Sequence, residues 1–179
     1  MQVLFISFTL AAILVYLWYA SLLKKRTSAI EALKVIDSKI DKRLTLFTEL
    51  CQEKPSYPRP LTDDQQAQLE LLKQLQPEHD WEQPIEESNM AGGSLSVSIA
   101  AWQQIDQGLE ALLATVNKDK LCADQLAEYI QLELDFVHAE DFYRKAVDEL
   151  NSGVKIFPGS AVAKFARIAP MPIFDQVQE

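Results

Sequence analysis

The first stretch of the chain is a nearly unbroken run of apolar residues. From Val3 to Leu23 only Ser7, Thr9 and Ser21 are polar, and no side chain is charged. At a rise of about 1.5 Å per residue, a helix of this length is about 31 Å long, which matches the hydrocarbon core of a bilayer. The pattern predicts a transmembrane helix that contacts the lipid bilayer through Val3–Leu23.

Aromatic and basic residues mark the C-terminal end of this segment. Tyr16, Trp18 and Tyr19 lie where amphipathic rings favour the headgroup interface, and Lys24–Arg26 follow at once. A cleaved signal peptide would need a basic region before Val3 and a shorter apolar run. A buried core helix would need equally apolar neighbours, which the rest of the sequence does not supply. The segment is therefore interpreted as an uncleaved anchor.

The distribution of basic residues predicts the orientation of the anchor. Three basic residues follow the span directly and four more lie between Lys34 and Arg43, whereas none precedes it. By the positive-inside rule the N-terminus is outside and the bulk of the chain is cytoplasmic, as in a single-pass inner-membrane protein. Cys51 and Cys122 are far apart and suggest neither a disulfide framework nor a zinc site, which agrees with a reducing compartment.

The residues after the span show the spacing of amphipathic helices. The first such helix runs from about Ser28 to Cys51, and no proline or glycine separates it from the span. The two are predicted to form one continuous rod of almost 50 residues. The apolar face of this helix consists of Leu33, Ile36, Ile40, Leu44 and Phe47. Thr62, followed by Gln65, predicts the capped start of a short second helix.

Two longer helices are predicted in the second half of the chain. One runs from about Ser96 to Asn117, and the other from about Cys122 to Ser152 or Lys155. The side of the last helix predicted to face inward comprises Leu126, Ile130, Leu134, Val137, Val147, Leu150 and Val154.

Together these segments predict an all-α fold. Residues 1–23 form the anchor, and residues 24–179 form an antiparallel bundle of about four helices. The prolines and glycines near residues 52–61 and 77–94 predict loops there.

The charge and the motifs of the sequence exclude several classes of function. The net charge of −9 lies wholly outside the first 23 residues and would repel a nucleic-acid backbone, so nucleic acid is excluded as a partner. The sequence contains no glycine-rich phosphate loop, no serine elbow and no Cys/His nucleophile pair. Neither an enzyme activity nor a cofactor is expected.

Three polar residues fall near the seam of the last helix, namely Glu133, Glu140 and Arg144. Glu140 and Arg144 are an i, i+4 pair of favourable polarity, so fixing the register of the bundle is their expected role. Asp135 and His138 share a helical face, and with Glu133 and Glu140 they leave a metal-dependent enzyme as a remote alternative. That alternative is weak because the second histidine lies in a predicted loop.

The C-terminal third resembles the LemA family. The resemblance is carried by Glu133, Tyr143, Val147, Asn151, Val154, Phe157-Pro158, Ala163, Pro172 and Phe174. In the N-terminal half, Arg43 and Leu46–Leu50 are similar to another segment of that family, and the chain is identified as a divergent member. The resemblance implies a cytoplasmic antiparallel helical bundle on one N-terminal span, and it implies no enzyme activity.

The leading hypothesis is a membrane-tethered interaction protein that holds an unknown protein partner near the membrane. The alternative is a self-associating structural protein, a homo-oligomer formed through Leu33, Ile36, Ile40, Leu44 and Phe47.

Overall fold

A computed structural model describes residues 2–51, 61–77, 94–116 and 123–174, and within these ranges the chain forms five α-helices and no β-strand. The helices are α1 (Gln2–Leu50), α2 (Asp63–Gln74), α3 (Ser94–Thr115), α4 (Ala123–Lys155) and α5 (Gly159–Ala166). The prediction of an all-α fold is confirmed. The predicted loops near 52–61 and 77–94 fall almost entirely outside the described residues.

The predicted rod is a single helix, because α1 continues for 49 residues from the apolar segment into the bundle. The hydroxyls of Ser7 and Thr9 each donate to the carbonyl oxygen four residues earlier, at 2.9 Å. These polar side chains are therefore satisfied within their own helix, as an apolar environment requires.

α1 and α4 form the central antiparallel pair of the bundle. Lys25 lies near Glu149 at 3.9 Å, and Lys39 forms an ion pair with Asp135 further along the two helices. The residue numbers rise on α1 while they fall on α4, which fixes the opposite directions of the helices. The C-terminal end of α4 therefore lies beside the apolar part of α1.

α2 and α3 form a second antiparallel pair at the other end of the bundle. The Thr62 hydroxyl accepts a hydrogen bond from the Gln65 backbone N–H at 3.4 Å, and the Gln65 side-chain oxygen accepts from the Thr62 N–H at 2.9 Å. This confirms the predicted capped start of α2. A Cβ added to Gly108 would lie 2.5 Å from a methyl group of Leu72, so the glycine permits close contact between α2 and α3.

The side of α4 that faces the core differs from the prediction in its first half. Ile130, Leu134 and Val137 are 45–51% exposed. The buried residues of α4 are Tyr129, Phe136, Tyr143, Val147, Leu150 and Gly153. This helix has two apolar faces with helical spacing, and the one with the larger aromatic rings packs against α1. Val147 and Leu150 are buried as predicted.

A short helix follows α4 that the sequence did not predict. α4 ends at Lys155, and α5 follows with Pro158 at its N-cap position and Gly159 as its first residue. Proline and glycine are also compatible with the start of a helix, so the same residues that end α4 begin α5.

Candidate functional site

The apolar segment of α1 is an exposed surface that is suited to contact with lipid. This helix is long and apolar enough to cross a membrane, and none of its most apolar window is buried by protein. Leu22 is buried and Trp18 packs against the core, whereas residues 2–17 are all exposed. A core helix would be covered along its length, so the lack of cover contradicts that interpretation.

The predicted interaction face is not a surface in the folded chain. All five of its residues are between 0% and 3% exposed and belong to the hydrophobic core, namely Leu33, Ile36, Ile40, Leu44 and Phe47. α4 and α3 cover this side of α1, because the stripe is the side on which the chain builds its own core. A partner or second copy cannot contact these side chains unless the bundle opens, which corrects the predicted location of the interface.

The three seam residues divide into two places on α4. Arg144 donates to the Glu140 carboxylate at 3.0 Å, and both side chains are partly buried. Arg144 also lies 3.5 Å from Asp141. Glu133 is not part of this group, since it lies near Tyr129 and Glu110, at the end of the bundle far from the apolar segment of α1. That these residues select the register stays a prediction.

The residues proposed as metal ligands do not form a metal site: Asp135 is bonded to other side chains and His138 is exposed. Asp135 accepts hydrogen bonds from Lys39 and, at 3.1 Å, from Gln131, and these bonds hold the pKa of Asp135 below its usual value. His138 is exposed on α4. Within the described ranges, no group of three or more His, Cys, Asp or Glu side chains is arranged to hold a metal ion.

The most unusual polar group is Arg43, which is fully buried near the C-terminal end of α1. Its guanidinium forms an ion pair with Asp106 of α3 and donates to the Tyr129 hydroxyl of α4 at 3.5 Å. The same guanidinium lies 5.5 Å from the ring centroid of Tyr129 and 5.3 Å from that of Phe136, within cation–π range. Three helices are thus joined at one charged group.

The charges around Arg43 are coupled. Burial by itself lowers the pKa of the Arg43 guanidinium, but Tyr129 and Asp106 outweigh it, so the pKa is raised. Burial raises the pKa of the Tyr129 hydroxyl to about 12 despite the opposing charge of Arg43. Partial burial, followed by the charges of Asp106 and Glu133, raises the pKa of Glu110. Arg43 is therefore charged and Tyr129 is protonated at neutral pH.

The sequence did not reveal this charged group, since Arg43 was considered only among the basic residues after the span and in the resemblance to the LemA family. Its partner Asp106 lies 63 residues away. Cys51, the described cysteine, is also buried, and burial raises the pKa of its thiol to about 12, which makes it a poor nucleophile. Cys122 lies outside the described residues.

Several residues that carry the LemA resemblance hold the C-terminal segment against α4. The Asn151 side chain accepts from the Met171 N–H at 2.9 Å and donates to the Met171 carbonyl at 2.8 Å. The Tyr143 hydroxyl donates to the Pro172 carbonyl at 2.7 Å, and the Tyr143 ring meets Phe174 edge-on at 5.5 Å between centroids. Asn151 and Tyr143 thus join α4 to the segment that follows α5.

An apolar groove runs between α1 and α5. Its floor is formed by α1 residues between Phe8 and Tyr19, and one wall is formed by Ala161 and Phe165 of α5. The groove is open on its outer side and almost entirely apolar. It lies on the part of α1 that is apolar enough to span a membrane.

Over the described residues, the geometry is that of an all-helical protein with one helix capable of crossing a membrane. No family model, no curated protein and no solved structure matches this chain. The resemblance to the LemA family therefore stays a prediction.

Proposed function

We propose that the chain is a non-enzymatic, membrane-anchored helical bundle that mediates protein–protein interaction at the cytoplasmic face of a bacterial membrane. The observation that carries this proposal is the continuity of α1 from an uncovered apolar segment into a bundle with a charged surface. Apolar side chains over the length of a bilayer are favourable in lipid and costly in water.

The charge distribution supports the orientation, and the resemblance supports the compartment. Lys24, Lys25 and Arg26 follow the apolar segment, and no basic residue precedes it, which favours an external N-terminus and a cytoplasmic bundle. Membership of the LemA family, which we propose from the residues that carry the resemblance, favours the inner membrane of a bacterium.

An exposed apolar stripe on α4 supports the interaction with a partner. Ala127, Ile130, Leu134 and Val137 follow helical spacing and are all exposed. Such a stripe fits the apolar face of a partner helix. It replaces the buried face of α1 as the proposed contact surface.

Membrane anchoring is tested with two arginines in the middle of the apolar segment. Leu10→Arg combined with Leu14→Arg adds about 3 kcal/mol per residue to the cost of insertion. We expect the double variant to leave the carbonate-resistant membrane fraction, while the matched control Leu71→Arg on the exposed face of α2 stays in it. Retention of the double variant in the membrane would contradict the anchor.

The contact surface is tested by photocrosslinking in native membranes. A photoreactive residue at position 134 is expected to give one reproducible crosslinked product, and the same residue at position 71 is expected to give none. A product containing a different protein supports the leading proposal, and a product made of two copies of the chain supports the self-associating alternative. Equal labelling at the two positions would refute the stripe as a contact surface.

A further inference from the structure

The C-terminal end of α4 and the start of α5 lie beside the C-terminal end of the apolar segment of α1. A Cβ added to Gly153 would lie 2.8 Å from a methyl group of Leu22, and one added to Gly159 would lie 3.2 Å from the ring of Trp18. Trp18 lies five residues before Leu23, the last residue of the apolar segment, which is about 7.5 Å along the helix axis. α5 therefore begins beside the part of α1 that the proposed function places inside the bilayer.

The residues at this level are apolar and point away from the protein. Ile156 is 61% exposed, Phe157 is 81% exposed and Phe165 is 94% exposed. Two phenylalanines exposed to this extent at one end of a bundle form an apolar surface that is unfavourable in water. The opposite side of α5 is buried through Val162 and Ala163, so the helix is held in place while its phenylalanine faces outward.

Charge separates this end of the molecule from the rest. Residues 1–30 and 150–174 contain six basic side chains and no acidic one, although the whole chain has a net charge of −9. Lys155, Lys164 and Arg167 flank the exposed phenylalanines and are themselves exposed. This distribution complements the negative surface of a leaflet that contains anionic lipids.

We propose that the Ile156–Phe157 turn and α5 form a second membrane-binding element, inserted into the leaflet beside α1. Its occupant is the bilayer itself, with acyl chains against Phe157 and Phe165 and in the apolar groove between α1 and α5. The flanking lysines and Arg167 reach anionic headgroups, as long basic side chains do at an interface. This inference rests on the proposed membrane anchoring, and it adds that the C-terminal region also enters the lipid.

The test uses an environment-sensitive fluorophore attached to single cysteines in the full chain. Cys51 and Cys122 are replaced by alanine, and a cysteine is placed at position 157, 165, 8 or 71. The native residues at all four positions are more than half exposed, so attachment leaves the core intact. The chains are reconstituted into vesicles of phosphatidylcholine and phosphatidylglycerol, and circular dichroism checks their helix content. Position 8 reports the anchor, and position 71 on α2 is the water-exposed control.

We expect blue-shifted emission at positions 157 and 165, quenched by nitroxide-labelled lipids as at position 8, with water-like emission at position 71. Water-like emission at both 157 and 165, with a lipid-like signal at 8, would overturn the second element and leave the anchor standing. Blue-shifted emission at 157 and 165 without quenching by lipid nitroxides would also overturn it, because protein would then cover the surface. Water-like emission at position 8 would refute the anchor itself and the inference with it.

Discussion

Charged and apolar side chains are placed in opposite ways at the two ends of the bundle. The proximal end lies beside the apolar segment of α1, and the distal end lies near the C-terminal end of α1, around Arg43. At the distal end the guanidinium of Arg43 is completely buried between aromatic rings and is neutralised by Asp106. At the proximal end Phe157 and Phe165 are exposed, and basic residues surround them. The bundle thus has a core typical of a water-soluble protein at one end and an exposed apolar surface at the other.

The difference shows that exposure must be judged against the surrounding medium. A buried charge without a partner is strongly unfavourable, so the distal end supplies a carboxylate, a hydroxyl and two rings to one side chain. Exposed phenylalanines are unfavourable in water but not in lipid. Each end is consistent with stability in its own medium, which is water for the distal end and, by our proposal, lipid for the proximal end.

The largest expected effect comes from removing the partner of the buried arginine. Asp106→Ala leaves the Arg43 charge without its carboxylate, and we expect the free energy of unfolding to fall by about 3 kcal/mol. Urea unfolding of the full chain in detergent micelles, followed by circular dichroism, measures this loss.

Two further variants control this prediction. Asp135→Ala breaks the more exposed ion pair with Lys39 and is expected to cost much less. Arg43→Met combined with Asp106→Ala removes the stranded charge and should recover part of the loss. If the Asp135 variant lost as much free energy of unfolding as the Asp106 variant, the buried ion pair of Arg43 would contribute no more to stability than the exposed pair.

A second prediction concerns the close packing at the proximal end. A Cβ at Gly159 would lie 2.1 Å from the carbonyl oxygen of Gly153, a backbone atom that cannot rotate away. Gly159→Val is therefore expected to displace α5 and to cost about 2 kcal/mol. Thermal unfolding measures the cost, and faster trypsin cleavage after Lys164 reports the displacement. The matched control Ala161→Val, at an exposed position of α5, should change neither the thermal stability nor the rate of cleavage. If both variants changed these quantities equally, packing at Gly159 would not be the cause.

A smaller effect is expected where the C-terminal segment returns to α4. Tyr143→Phe removes the donor to the Pro172 carbonyl and should cost about 1 kcal/mol. We expect trypsin to cleave faster after Arg167, which precedes this segment, and mass spectrometry can follow the released fragment. Tyr129→Phe is the matched control at the distal end, and it should leave cleavage at Arg167 unchanged. Unchanged cleavage in the Tyr143 variant would argue against a retaining role for the hydroxyl.

The smallest effect is a pH dependence at the distal cluster. The pKa of Glu110 is raised from its ordinary value of 4.5, so the folded chain binds this proton more tightly than the unfolded chain. The ionised carboxylate therefore lowers stability at pH 7, and this penalty disappears as the pH falls below 4.5. Glu110→Gln should raise the free energy of unfolding at pH 7 by at most about 0.5 kcal/mol, with no gain at acidic pH.

The pKa of Asp135 is shifted in the opposite direction, so its effect on the pH dependence of stability has the opposite sign. Its pKa is lowered by the bonds from Lys39 and Gln131, so its contribution to stability is present above 3.8 and is lost as the pH falls through its folded value. Asp135→Asn should thus destabilise the chain at pH 7 and not in acid. Urea titrations at several pH values compare the two variants, and the same sign for both would contradict these assignments.

Much of the fold could be predicted because it depends on local patterns. The continuity of α1, the capping box at Thr62 and the approximate limits of α3 and α4 follow from residues close together in sequence. The choice between the two apolar faces of α4 could not be predicted, because only the position of α1 decides whether Tyr129 or Ile130 is buried.

The functional features were harder to predict because they depend on distant residues. The apolar stripe of α1 was predicted to be an interaction face, because the sequence alone could not show that α4 and α3 already cover it. The burial of Arg43 depends on Asp106 and Tyr129, which come from two other helices. α5 was missed because Pro158 and Gly159 are typical both of a helix end and of a helix start.

The unbroken course of α1 sets a fixed distance. From Leu23 to Leu50 the helix rises about 40 Å. No glycine or proline lies along its length to act as a hinge, so the helix is stiff, and by our proposal its first part is held in a bilayer. If this proposal holds, the far end of the bundle lies well beyond the headgroups, and tilting of α1 in the lipid moves that end over a wide range.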